Sequence, residues 1–72
     1  MAHPAIAKAI ETVGLTGLAR SIGVSYQAIR KWERAGRLPR TEWTGETTHA
    51  EAIERATDGY VSVGELMVRY DK

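Results

Sequence analysis

A chain of 72 residues with 10 Lys+Arg, 9 Asp+Glu and no cysteine is short, nearly neutral, and without disulfides or thiolate metal sites to staple it. Its 43% hydrophobic and 26% charged residues fit one folded domain, residues 1–72, around a small core, and do not fit a disordered segment. No apolar run approaches the ~18 residues of a membrane span and no basic-then-apolar leader opens the sequence, so the expected location is cytoplasmic, with no membrane partner.

The first element runs from Pro4 to Val13. Pro4 suits a first helical position, Ile6, Ala7, Ile10 and Val13 form a stripe at helical spacing, and Gly14 can end the helix. A short second helix follows Thr16 as N-cap and reaches Ile22, stopped by Gly23. Ser25 caps a third, Tyr26 to Ala35, closed by Gly36 and soon afterwards by Pro39. Residues 37–47 carry no clear period: residues 40–44 read as a short extended piece and Thr44-Gly45 as a turn. Two capping boxes follow. Thr48 with Glu51 opens a helix of about 49–57 that turns Ala50, Ile53 and Ala56 inward; Ser62 with Glu65 opens one of about 63–70 that turns Leu66, Met67 and Tyr70 inward. Asp58-Gly59 separates the two. The expected fold is mainly α, five short helices, with a competing arrangement in which residues 60–63 form a strand paired with residues 41–44.

Residues from about 15 to 35 have the spacing of a helix-turn-helix. Two short helices that cross steeply need a small residue at their approach, supplied by Ala19, and a turn residue tolerant of positive φ, supplied by Gly23. Leu18, Ile22, Val24, Ile29 and Trp32 fill the apolar positions at fixed offsets from that glycine. A generic helical hairpin explains any one of these matches, but not all seven together.

With Val24, Ile29 and Trp32 inward, the third helix presents Ser25, Tyr26, Gln27, Arg30, Lys31 and Arg34 outward. A helix lying in a DNA major groove needs such long hydrogen-bonding side chains. Gln27 can read adenine, Arg30 or Lys31 the guanine O6/N7 edge, and Tyr26 a thymine methyl or a phosphate. Arg34, Arg37 and Arg40 sit toward or past the helix end, where phosphate contact is expected. Thr16 and the amides of the Gly17-Leu18 turn lie at a helix start, a favourable place for a phosphate. Any one of these charges alone is ordinary solvated surface; five Lys/Arg between residues 30 and 40 are not. Glu33 is discordant, and either faces Arg37 or repels some sequences. The near-neutral total hides an asymmetry. Residues 1–40 hold seven basic side chains against Glu11 and Glu33, a balance of +5; residues 41–72 hold three against seven acidic ones, a balance of −4.

The stretch Gly14-Leu-Thr-Gly-Leu-Ala-Arg-Ser-Ile-Gly-Val-Ser-Tyr-Gln-Ala-Ile-Arg-Lys-Trp-Glu-Arg-Ala-Gly-Arg-Leu-Pro resembles the DNA-binding core of the Cro-type repressors of lambdoid phages and prophages, including their YdaS-like relatives. Residues 52–62, Ala-Ile-Glu-Arg-Ala-Thr-Asp-Gly-Tyr-Val-Ser, are similar to the segment that follows in that group. The resemblance covers roughly residues 5–70. It implies a lambda-repressor-like helix-turn-helix domain and a transcriptional repressor that binds a pseudo-palindromic double-stranded operator as a weak homodimer, in the bacterial host's nucleoid. It leaves residues 41–72 open, since the family's second half is all-helical in some members and helix-plus-strand in others.

The remaining residues point to no other chemistry. Trp43 either folds back onto the core or anchors a dimer contact. His3 and His49 are too far apart and too poorly accompanied for a metal site. Gly14 and Gly17 lack a lysine at P-loop spacing. No triad is visible, and so small a chain can hardly hold a deep pocket or an effector-sensing domain. Neither an enzyme, a cofactor nor a small-molecule effector is expected. Competing readings are an excisionase, which needs a wing-like hairpin near Thr44-Gly45, an antitoxin-type regulator, and a helical protein-interaction module without DNA binding.

Overall fold

His3 starts the first helix and fastens the far end of the chain to it. In the computed structural model, which describes residues 3–70, its Nδ1 accepts the Ile6 amide at 3.4 Å as N-cap of α1 (Pro4–Val13). Its Nε2 lies 3.1 Å from the Leu66 carbonyl and 2.8 Å from that of Val68. Two carbonyl acceptors on one ring nitrogen require that Nε2 carry the proton, which leaves Nδ1 free to accept. The buried ring also meets Tyr70 edge-on, with centroids 4.9 Å apart.

Five helices follow in the predicted order and one single-turn element is added between them: α2 (Leu15–Ile22), α3 (Tyr26–Ala35), α4 (Thr41–Thr44), α5 (His49–Ala56) and α6 (Val63–Leu66) come after α1, and α4 is the addition. The described residues are mainly α and contain no strand. Among the described residues six helices stand where five are expected. The sixth is α4, which turns residues 41–44 into a helical turn instead of an extended piece. Amides of Glu42 and Trp43 donate to the carbonyls of Pro39 and Arg40 at 3.0 and 2.9 Å, and Gly45 at φ 84° closes the turn. Residues 60–63 therefore have no strand to pair with. Val61 is instead buried, its amide donating to the Thr57 hydroxyl at 3.2 Å.

Two other boundaries and one cap differ from the sequence reading. α2 begins at Leu15, because Gly14, at φ 93°, reverses the chain in a single residue and serves both helices. Its amide donates to Ile10 and its carbonyl accepts from Leu18, so Thr16 lies inside the helix and is not its cap. α6 stops at Leu66, well short of residue 70. The chain beyond it is drawn off the helical path, with the Val68 carbonyl taken by His3 and the Tyr70 amide donated to Gly36 at 2.6 Å. Thr48 makes no side-chain cap, so its box with Glu51 does not form, whereas the Ser62–Glu65 box does.

Ile6, Leu18, Ile29, Leu38, Ile53, Val61 and Leu66 are wholly buried in one core, to which every helix except α4 contributes. α2 lies against α1, α3 and α5 and so sits at its centre. Each such aliphatic side chain contributes about 1.5–3 kcal/mol by leaving water.

An exposed tie joins the first helix to the last. Lys8 Nζ lies 2.9 Å from Glu65 Oε1 and 5.1 Å from the centre of the Tyr60 ring. The Lys8 ammonium, followed by the Ser62 amide, holds the Glu65 carboxyl below the ordinary carboxylate range. A lowered carboxyl stabilises the fold above that range, and the gain is lost as pH falls through the lowered value. Thermal unfolding of the parent and of Glu65→Gln should therefore differ at neutral pH and converge on acidification; a gap independent of pH contradicts the tie.

Candidate nucleic-acid interface

The sharp angle between α2 and α3 rests on Gly23, whose φ of 76° is left-handed. From that position its amide and the amide of Val24 both donate to the Ala19 carbonyl, at 2.9 and 3.1 Å, and close the end of α2. Ala19 is buried, as a close approach of two helices demands. Ser25 then caps α3, its Oγ accepting the Ala28 amide at 3.2 Å.

Ile29 and Trp32 are buried, and they fix how α3 is turned about its axis. At 100° per residue the opposite face belongs to Gln27 and Arg34, flanked by Arg30, Lys31 and Tyr26. All five are exposed, and with Ala35 they line one open concavity. Lys31 and Ala35 also border a second hollow that continues over Arg37, Pro39 and Arg40. Tyr26, Gln27, Arg30, Lys31, Arg34, Arg37 and Arg40 thus share one surface. Ser25 is exposed beside it, although its hydroxyl is engaged as the cap. Thr16 and Gly17 are exposed in the first turn of α2 and belong to neither hollow. The Leu18 amide is bonded to Gly14, so the helix start offers the amides of Thr16 and Gly17 and not that of Leu18.

Glu33 pairs with Arg30. Its Oε1 accepts from Arg30 Nη1 at 3.1 Å, one helical turn back. Three-residue spacing on a helix was the available signal for this pair.

The connector that carries Arg37 and Arg40 is anchored at both ends. Leu38 is fully buried, and the imidazole of His49 stacks on Trp32 with centroids 5.1 Å apart and 28° between the planes. Between them, Glu42 takes the role that Thr48 was expected to fill. Its carboxylate accepts the amides of His49 and Ala50 at 2.8 and 3.0 Å and also the Thr47 hydroxyl, which caps α5 from α4. No local motif announces it, because the partners lie five to eight residues away. Trp43 remains 43% exposed, so it does not fold back onto the core.

This arrangement is that of a small, all-helical helix-turn-helix protein with a cationic second helix. No family model matches the chain, and no solved structure matches it significantly. It is similar to the 8.4 kDa cro protein of Escherichia phage HK022, at 40% identity over 57 residues, which cover 79% of this chain and 75% of that protein. The chain belongs to the Cro family of phage proteins.

Replacing Glu42 with alanine removes a charged cap from α5. Chemical denaturation should show a loss of about 1–2 kcal/mol, the usual size of a lost N-cap. A change within a few tenths of a kcal/mol contradicts the capping role.

Proposed function

We propose that the chain acts as a single, sequence-specific, double-stranded DNA-binding domain and as a transcriptional repressor of phage type, placing α3 in the major groove. The exposed face of α3 carries this reading. Its polar side chains are those that recognise base edges, and core packing fixes the direction in which they point. Gln27 reads adenine; Arg30 or Lys31 reads guanine; Tyr26 meets a thymine methyl or a phosphate. Arg34, Arg37 and Arg40, with Ser25, Thr16 and the Gly17 amide, hold phosphates. Membership of the Cro family supports the same conclusion.

Two copies act together. The described residues extend 27 Å along their longest axis, less than the ~34 Å between successive major grooves on one face of DNA, so reading two grooves takes two molecules. A weak homodimer forms through the second half of the chain, where Trp43 and Tyr60 are exposed. Bound at a promoter, it occludes polymerase, with occupancy set by its own concentration and by salt. The acidic half of the molecule faces away from the phosphates and helps to orient the docked face. The wing on which an excisionase reading depends is replaced by the helical turn α4.

Binding measured by anisotropy on a preferred duplex and on a scrambled one, across a salt series, tests this. Affinity should fall with salt with a log–log slope of about −0.9 per phosphate neutralised. Arg30→Ala or Gln27→Ala should cost about 1–3 kcal/mol of discrimination, whereas Arg40→Ala should weaken both duplexes alike and flatten the slope by about one. A flat salt response, or an Arg30→Ala protein that discriminates like the parent, contradicts the reading.

A further inference from the structure

The one carboxylate on the cationic helix is the feature that base reading by α3 leaves unexplained. Glu33 lies on the flank of α3, between the buried stripe and the exposed face, with its side chain 16% exposed against 49% for Arg30. Its place is pinned from behind, since the Glu33 carbonyl receives the His3 amide at 2.9 Å. From there Oε1 accepts one N–H of Arg30 Nη1 at 3.1 Å.

We propose that Glu33 is a specificity-determining residue that makes Arg30 a reader of bases and a poor generic cation. This rests on the DNA-binding reading above. A guanidinium has five N–H donors in a rigid fork. One bond to Glu33 leaves enough for the two-pronged contact to guanine O6 and N7. The paired carboxylate cancels most of the long-range attraction that a lone arginine exerts on phosphates. What Arg30 gains from DNA then depends on hydrogen-bond geometry at a base edge, which only the correct sequence supplies. The same bond holds the side chain in one direction before DNA arrives, which favours a site that fits that direction. Glu33 is a positioning residue: it acts through Arg30.

The test is a double-mutant cycle on the full chain, with Glu33→Gln, Arg30→Ala and the double variant, after thermal melts show that each is folded. Affinities are measured for a duplex selected by the parent and for a scrambled one. Glu33→Gln should bind the scrambled duplex several-fold more tightly, with a steeper salt dependence. Its operator-to-scrambled ratio should fall roughly tenfold. In the Arg30→Ala background the same substitution should leave that ratio unchanged. A ratio unaffected in the parent background shows that Glu33 is a bare surface charge, and an equal drop with and without Arg30 shows that it reads DNA independently; either overturns the proposal. A parent that binds no duplex removes the DNA-binding reading itself, a result distinct from both.

Discussion

Burial of Ile29 and Trp32 sets the rotation of α3, and most of what this protein presents to its surroundings follows from that rotation. Turning the helix by one residue, 100°, would carry Gln27 and Arg34 off the middle of the exposed face and bring apolar surface into water. The core therefore holds the cationic surface in register. Trp32 is held from two directions, by the core beneath it and by the ring of His49 stacked against it. In a chain without disulfides, such side-chain packing is a principal means of locking so short a helix.

The same economy governs the ends of α3. Its first turn is closed by Ser25, and its last turn accepts two amides from distant parts of the chain, His3 to Glu33 and Tyr70 to Gly36. Both ends of the described chain thus converge on the helix that carries the candidate contacts. The connector beyond it is fixed by Leu38 below and by Glu42 ahead, so Arg37 and Arg40 project from a braced segment.

The legible parts of the fold are those whose signals are local. Pro4, Gly23, Ser25 and Gly36 each act within one turn of their own position, and α1, α3, the end of α2 and the turn between α2 and α3 were readable from them. The Ser62–Glu65 box was readable for the same reason. What stayed hidden depends on partners far along the chain or on competition between equal local options. α4 lacks an apolar period, and its capping role through Glu42 exists only once α5 is docked nearby. Thr48 has the right sequence for a capping box, but its backbone, at φ −128° and ψ 43°, is not the extended shape of a cap, and α5 is capped instead at the amides of His49 and Ala50 by Glu42. The end of α6 depends on His3, more than 60 residues away. At the interface the identity of the exposed side chains was legible, because periodicity fixes the face. The pairing of Glu33 with Arg30 was not, because three-residue and four-residue partners compete on a helix.

A total charge of +1 first looks unsuited to a DNA-binding protein, yet it is the sum of a basic half and an acidic half. The basic half contains α3 and its connector; the acidic half contains α5 and α6. Under the proposed function, low net charge would limit attraction to DNA of any sequence and leave the preference to a few side chains. The most direct test of paired, sequence-specific reading is selection of bound duplexes from a random pool with the full chain. A pseudo-palindrome with half-site centres about 10–10.5 base pairs apart, or a multiple of that, is the predicted outcome. A bound pool with no sequence enriched over the input contradicts the account.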